Sequence, residues 1–188
     1  YLLSDDEIAM LTVVRKHFKK VVLLLNVGNI IDMTDINRIA PDSVLYVWQG
    51  GMTGGKGTAD VLTGKVSPSG KLPDTIAYKA SDYPSDANFG REKNRDIYAE
   101  DIYVGYRYFE TFAKEKVLYP FGFGLSYTEF EIKTEKAEIT EGAVKLSVSV
   151  KNIGSYKGKE VIEVSHHRLI GCKQKIMSII VVSHAALL

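Results

Sequence analysis

Two short, unbroken apolar runs, Val21–Leu25 (VVLLL) and Val44–Trp48 (VLYVW), constrain the fold of this 188-residue chain most strongly. A strand with one wet face alternates polar and apolar residues. Continuous β-branched and leucine runs belong to parallel strands covered on both faces. Their surroundings read as helical. Ser4 followed by Glu7 has the spacing of a capping box, and Asp5 and Asp6 suit the positive end of a helix dipole. Ile8, Leu11, Val14 and Phe18 then recur at helical spacing, with Arg15, Lys16, Lys19 and Lys20 closing the last turns. Asp35–Ala40 is expected to form a short helix ended by Pro41. A glycine-rich turn after Trp48 leads into a helix near Gly57–Leu62, stopped by Gly64. This alternation predicts an α/β class fold: a mostly parallel sheet with helices on both faces.

Past Thr128 the pattern changes. Val144–Val150 alternates as VKLSVSV, Asn152–Gly154 reads as a turn and Lys159–Val164 as another short strand, the beginning of an all-β sandwich module. Ser81–Arg95 is polar and is expected to be a surface loop. A formal net charge of +1 gives no electrostatic case for nucleic acid or an anionic membrane. The longest apolar run, Val21–Leu25, is far too short to cross a bilayer. Acid stands at the amino end where a signal peptide carries base, so the expected location is cytoplasmic. The lone Cys172 excludes an internal disulfide framework and a cysteine-only zinc site.

A third of the residues from Tyr98 to Phe130 (YAEDIYVGYRYFETFAKEKVLYPFGFGLSYTEF) are aromatic. Rings at that density tie irregular backbone to a core. Gly105, Gly122 and Gly124 permit turns or close backbone approach within it. The GYRYF run followed by PFGFGLSYTEF resembles the end of the second domain of glycoside hydrolase family 3, the β-glucosidase group. The run from Trp48, WQGGMTGGKGTADVLTGKVSPSGKLPDTI, resembles that family's glycine-rich loop, helix and PSGKLPxT turn. The resemblance covers roughly Tyr1–Val164. It implies the family's α/β sandwich over residues 1–128, lacking its beginning, and a truncated fibronectin type III-like domain over 129–188. Residues 165–188 depart from the family pattern and read as a truncated or out-of-frame end. The implied function is that of a fragment of a retaining, exo-acting β-glycosidase acting on a β-glucoside or related oligosaccharide.

Glycoside hydrolysis needs two carboxyl groups flanking the scissile bond, roughly 5–5.5 Å apart in retaining enzymes. Asp32 and Asp35 are explained by helix capping or a solvated surface, Asp60 by its helix and Asp74 by a turn. Glu100 or Asp101, buried, is expected to orient Arg107 through a bidentate pair. In the family the nucleophilic aspartate belongs to a separate (β/α)8 barrel. The acid/base glutamate lies upstream of the position where Tyr1 begins. The resemblance therefore implies no catalytic residue on this chain and a missing barrel as its partner.

Trp48 and Gln49, at the carboxyl end of a strand, are the candidate substrate-binding residues, because ligands of open α/β sheets bind there. A tryptophan face stacks on sugar rings, and an amide both donates to and accepts from hydroxyls. The alternative for Trp48 is core filling. Gly50, Gly55 and Lys56 match the first positions of a P-loop, but Gly57 stands where its Ser or Thr must be. A nucleotide-binding loop and a tight strand-to-helix turn are the competing readings. A carbohydrate-binding or assembly module without catalysis is the other alternative for the whole chain. His17, His166, His167 and His184 lack companions at metal-ligand spacing, so neither metal nor cofactor is expected. No G-x-S-x-G nucleophile elbow occurs.

Overall fold

Helix α1 (Asp5–His17) starts at the capping box: the Ser4 amide donates to Glu7 Oε2 at 2.8 Å and the Glu7 amide to Ser4 Oγ at 3.3 Å. In the computed structural model the backbone is described for residues 1–140, 143–168 and 177–182, and side chains for 1–138 and 145–164. Cys172, His184 and the side chains of His166 and His167 lie outside the described residues, as does much of the 165–188 tail. Two compact units form. One comprises Tyr1–Thr58 and Pro73–Phe121, the other Ala59–Leu72 and the chain from Gly122 onward.

In the first unit, β1 (Val22–Leu25) pairs in parallel with β2 (Ser43–Tyr46), and the crossover between them carries α2 (Thr34–Ile39). A parallel pair requires such a crossover. The next helix, α3 (Gly54–Leu62), begins about a turn before its expected start and ends as expected, with Gly64 in the left-handed region. The α/β class read from the sequence is thus the observed one. β1 buries Leu25 while Val22 is 52% and Leu24 42% exposed, so the described residues cover this apolar run on alternate positions.

The short strand β3 (Ile76–Ala77) pairs antiparallel with β4 (Val117–Tyr119), and α4 (Tyr106–Phe112) lies between them in sequence. Phe109, 1% exposed, is the centre of this region's core together with Ala77 and Ala113; Tyr83, Tyr108 and Val117 pack against it. Tyr83 changes the reading of residues 81–95 as a surface loop. Its ring meets Phe109 edge-on at 5.3 Å. Its hydroxyl donates to Thr75 O at 2.8 Å and accepts from the Ala77 amide at 2.9 Å. Burial is the main reason its phenol is held above the ordinary value.

The second unit contains two antiparallel pairs, β5 (Phe130–Thr140) with β6 (Ala143–Asn152) and β7 (Glu163–Arg168) with β8 (Met177–Val182). Asn152 builds the expected turn: its Oδ1 accepts from the Gly154 amide at 3.0 Å and from Thr128 Oγ1 at 2.8 Å. The strand expected from Lys159 begins instead at Glu163. The reason is local. Glu160 turns its carboxylate inward onto Lys71 and also takes the Val161 amide at 2.9 Å, which satisfies that donor without a ladder.

The two sequence motifs interlock in this unit. The Leu72 amide donates to Phe123 O and the Gly122 amide to Leu72 O, both at 2.8 Å. A Cβ on Gly124 would lie 2.5 Å from Gly70 O, so the closure needs a bare Cα there. Lys71 Nζ donates to Gly124 O at 2.7 Å and pairs with Glu160 Oε1 at 3.0 Å, with side chains only 6% and 3% exposed. Tyr127 ties the same turn to α3 through a 3.0 Å bond to Val61 O.

Candidate functional site

Because β1 and β2 run parallel in register from Val22↔Ser43 to Leu25↔Tyr46, their carboxyl ends lie side by side. The Val47 amide continues the pairing onto Leu25 O at 2.9 Å. Tyr46 then clamps the loop after β1: its hydroxyl accepts from the Ile31 amide at 2.8 Å and donates to Asn29 O at 3.3 Å. Burial of this phenol raises its pKa.

Trp48 follows with φ at +58°, in the left-handed region that a bulky side chain seldom occupies. Its ring centroid lies 4.6 Å from that of Tyr46, tilted by 41°, and the residue is half-buried. The exposed Gln49 projects its amide toward the loop after β1, where a Cβ on Gly28 would come within 2.9 Å of Nε2. The structure thus brings Trp48 and Gln49 to the end of the parallel pair. Consecutive residues at this strand end carry one aromatic ring and one amide, chemistry suited to a polyhydroxylated ring.

The glycine-rich loop turns tightly into α3, with the Gly54 amide donating to Gly51 O at 2.8 Å. Thr58 Oγ1 donates to the helix carbonyl of Gly54 at 3.0 Å, which commits the hydroxyl that follows Gly57 to the helix itself.

Four of the acids weighed as catalytic candidates are engaged locally. Asp32, 8% exposed, accepts the Thr34 amide at 2.8 Å just before α2, whose N-cap is Met33, so it is buried rather than solvated. Asp35 pairs with Arg38 at 2.7 Å, Asp60 with Lys65 at 3.2 Å, and Asp74 accepts the Thr75 amide at 2.8 Å. The expected pairing of Arg107 with Glu100 or Asp101 is not formed. Arg107 Nη1 donates to Ile102 O at 3.5 Å and its guanidinium stands 5.9 Å over the Tyr106 ring. Arg107 and Asp101 are both exposed, and water competes effectively for such charges. Among the described residues no group of three or more His, Cys, Asp or Glu side chains gathers as a metal site, and His17 donates to Val13 O at 2.8 Å.

Two features escaped sequence reasoning. Tyr83 sits amid polar residues that read as loop, and Lys71 and Glu160 are too far apart in sequence for spacing to pair them. Tyr83 had one usable signal, the Pro84 that follows it and fixes a 3-10 turn at Pro84–Ala87.

Residues 1–127 match the glycosyl hydrolase family 3 C-terminal domain. The beta-glucosidase of Ruminococcus albus is 63% identical over 164 residues, an alignment covering 87% of this chain and 17% of that protein. Beta-glucosidase A of Butyrivibrio fibrisolvens is 44% identical over 182 residues, covering 87% and 22%. Among solved structures, a beta-glucosidase from Paenibacillus barengoltzii superposes with a TM-score of 0.84 at 47% identity, over 94% of this chain and 20% of that one. Beta-glucosidase 3B from Thermotoga neapolitana, solved in complex with glucose, gives 0.83 at 38% identity over 95% and 26%. The chain thus spans about a fifth of the length of these relatives.

Proposed function

The chain belongs to glycosyl hydrolase family 3, with residues 1–127 as its C-terminal domain, and from that premise we propose that it is the scaffold portion of a retaining, exo-acting β-glucosidase. The carrying observation is the 63% identity to the Ruminococcus albus beta-glucosidase. The proposed substrate is a β-glucoside or a short oligosaccharide with a terminal β-linked glucose.

Retaining hydrolysis proceeds through a carboxylate nucleophile and a carboxylic acid/base on either side of the glycosidic bond. In this reading neither group comes from the present chain. Asp35, Asp60 and Asp74 are occupied by neighbouring cations or backbone, and Asp32 by the first turn of α2. Both reactive groups come from a (β/α)8 barrel and a segment preceding Tyr1. What the chain contributes is one wall of the site. The Trp48 ring stacks on an apolar face of the sugar, and the Gln49 amide exchanges hydrogen bonds with its hydroxyls. The strands after Thr128 are assigned, in the same proposal, to the beginning of a fibronectin type III-like domain, which their antiparallel pairing supports.

The test is turnover of a chromogenic β-glucoside. The isolated 188-residue chain should release no chromophore. Robust release abolished by Glu100→Gln or Asp101→Asn would contradict the division of labour.

A further inference from the structure

Resting on the reading of Trp48 and Gln49 as a sugar-facing wall, we infer that Gly28 is a positioning residue for this wall, whose missing side chain sets where the Gln49 amide lies. The glycines around this sheet end differ in what they meet. A Cβ on Gly51, Gly54, Gly55 or Gly57 would meet nothing within 4 Å, and one on Gly50 would meet the backbone of Gly54 at 2.9 Å, which the tight turn explains. At Gly28 the obstruction is a side chain: Gln49 Nε2 at 2.9 Å and Cδ at 3.3 Å.

Gly28 is also absent from the glycines with positive φ, so its backbone imposes no demand for glycine. The demand comes from the amide of Gln49. Trp48 supplies the complementary constraint. Its left-handed φ turns the chain immediately before Gln49, and its ring rests against Tyr46. A methyl group at position 28 therefore displaces the amide while leaving the ring in place. It costs the fold little, because what must move is the far end of a flexible, exposed side chain.

The experiment is an NMR titration of the full chain with methyl β-D-glucopyranoside. It follows the Trp48 indole signal in the parent, Gly28→Ala, Gln49→Ala and the double variant, and the Gln49 side-chain amide signals in the parent and Gly28→Ala. Gly28→Ala should weaken binding about fivefold, the size of one neutral hydrogen bond, at an unchanged melting temperature. The double variant should bind no worse than Gln49→Ala alone. Parent-like affinity of Gly28→Ala, with Gln49→Ala impaired, overturns the inference while sparing the sugar wall. So does a further loss in the double variant. A parent chain with no shift at Trp48 or Gln49 sinks the wall and the inference together.

Discussion

Replacing Lys71 by methionine should destabilise the second unit more than any surface charge change. Lys71 and Glu160 are 6% and 3% exposed, and the ammonium also holds Gly124 O at 2.7 Å. Removing the cation leaves a buried carboxylate without its counter-ion, with the Val161 amide still bound to it, a defect that costs about 3–5 kcal/mol. The carbonyl of Gly124 loses its donor as well. For a chain of this size each kcal/mol lowers the melting temperature by about 2–4 °C, so a fall of roughly 6–20 °C is expected. Differential scanning calorimetry at neutral pH reads it. The partner variant discriminates. In Lys71→Met/Glu160→Leu neither charge remains buried, and most of the lost stability should return, because an apolar pair of similar volume replaces a buried ion pair at little net cost. A single variant that melts with the parent, or a double variant that melts below Lys71→Met, would refute the assignment of a buried, mutually dependent pair.

Glu163 carries the opposite signature. Its carboxyl is raised above the ordinary value, mainly by burial and against the pull of Lys71. The folded state then holds this proton more tightly than the unfolded chain does. Its contribution to stability is present at acid pH and lost as pH rises from the unfolded value through the raised one. Glu163→Gln should therefore stabilise the chain at neutral pH and not at pH 4, as thermal melts at the two pH values will show. Asp42 behaves in reverse. The hydrogen bond from Lys20 and then the Val21 amide hold its carboxyl down at about 2, with Arg15 also paired at 2.9 Å. Stability from this cluster is complete above the unfolded carboxylate value and disappears as pH falls toward 2. In Asp42→Asn that acid-side loss should be smaller in an acid titration followed by circular dichroism. Phe109→Ala empties the centre of the first core, where the ring is 1% exposed, and should cost about 3–5 kcal/mol in urea unfolding.

What the sequence made legible follows the range of the interaction. The capping box of α1 lies within one turn, and both β1 and β2 are announced by continuous apolar composition. The interlocking of Gly70–Leu72 with Gly122–Gly124 was legible only as two motifs, since their hydrogen bonds join segments far apart in the chain. Arg107 shows the converse error. Proximity in sequence to Glu100 and Asp101 suggested an ion pair, yet all the local geometry offers is the Ile102 carbonyl and the Tyr106 ring. The β7 boundary failed for a related reason: Lys159–Ile162 has strand composition, but Glu160 is drawn inward by a cation contributed from residue 71. At the candidate site, Trp48 and Gln49 were found through the rule for strand ends. The role of Gly28 was not, because the close approach of an amide to a bare Cα leaves no trace in spacing.

The central claim concerns where the reactive carboxylates reside, and covalent trapping addresses it directly. A retaining glycosidase exposed to a 2-deoxy-2-fluoro-β-glucoside bearing a good leaving group accumulates its glycosyl–enzyme ester. Intact-mass spectrometry of the treated 188-residue chain should show the unmodified mass. A stoichiometric fluoroglucosyl adduct mapping to Asp32, Glu100, Asp101 or another acid of the chain would contradict the account.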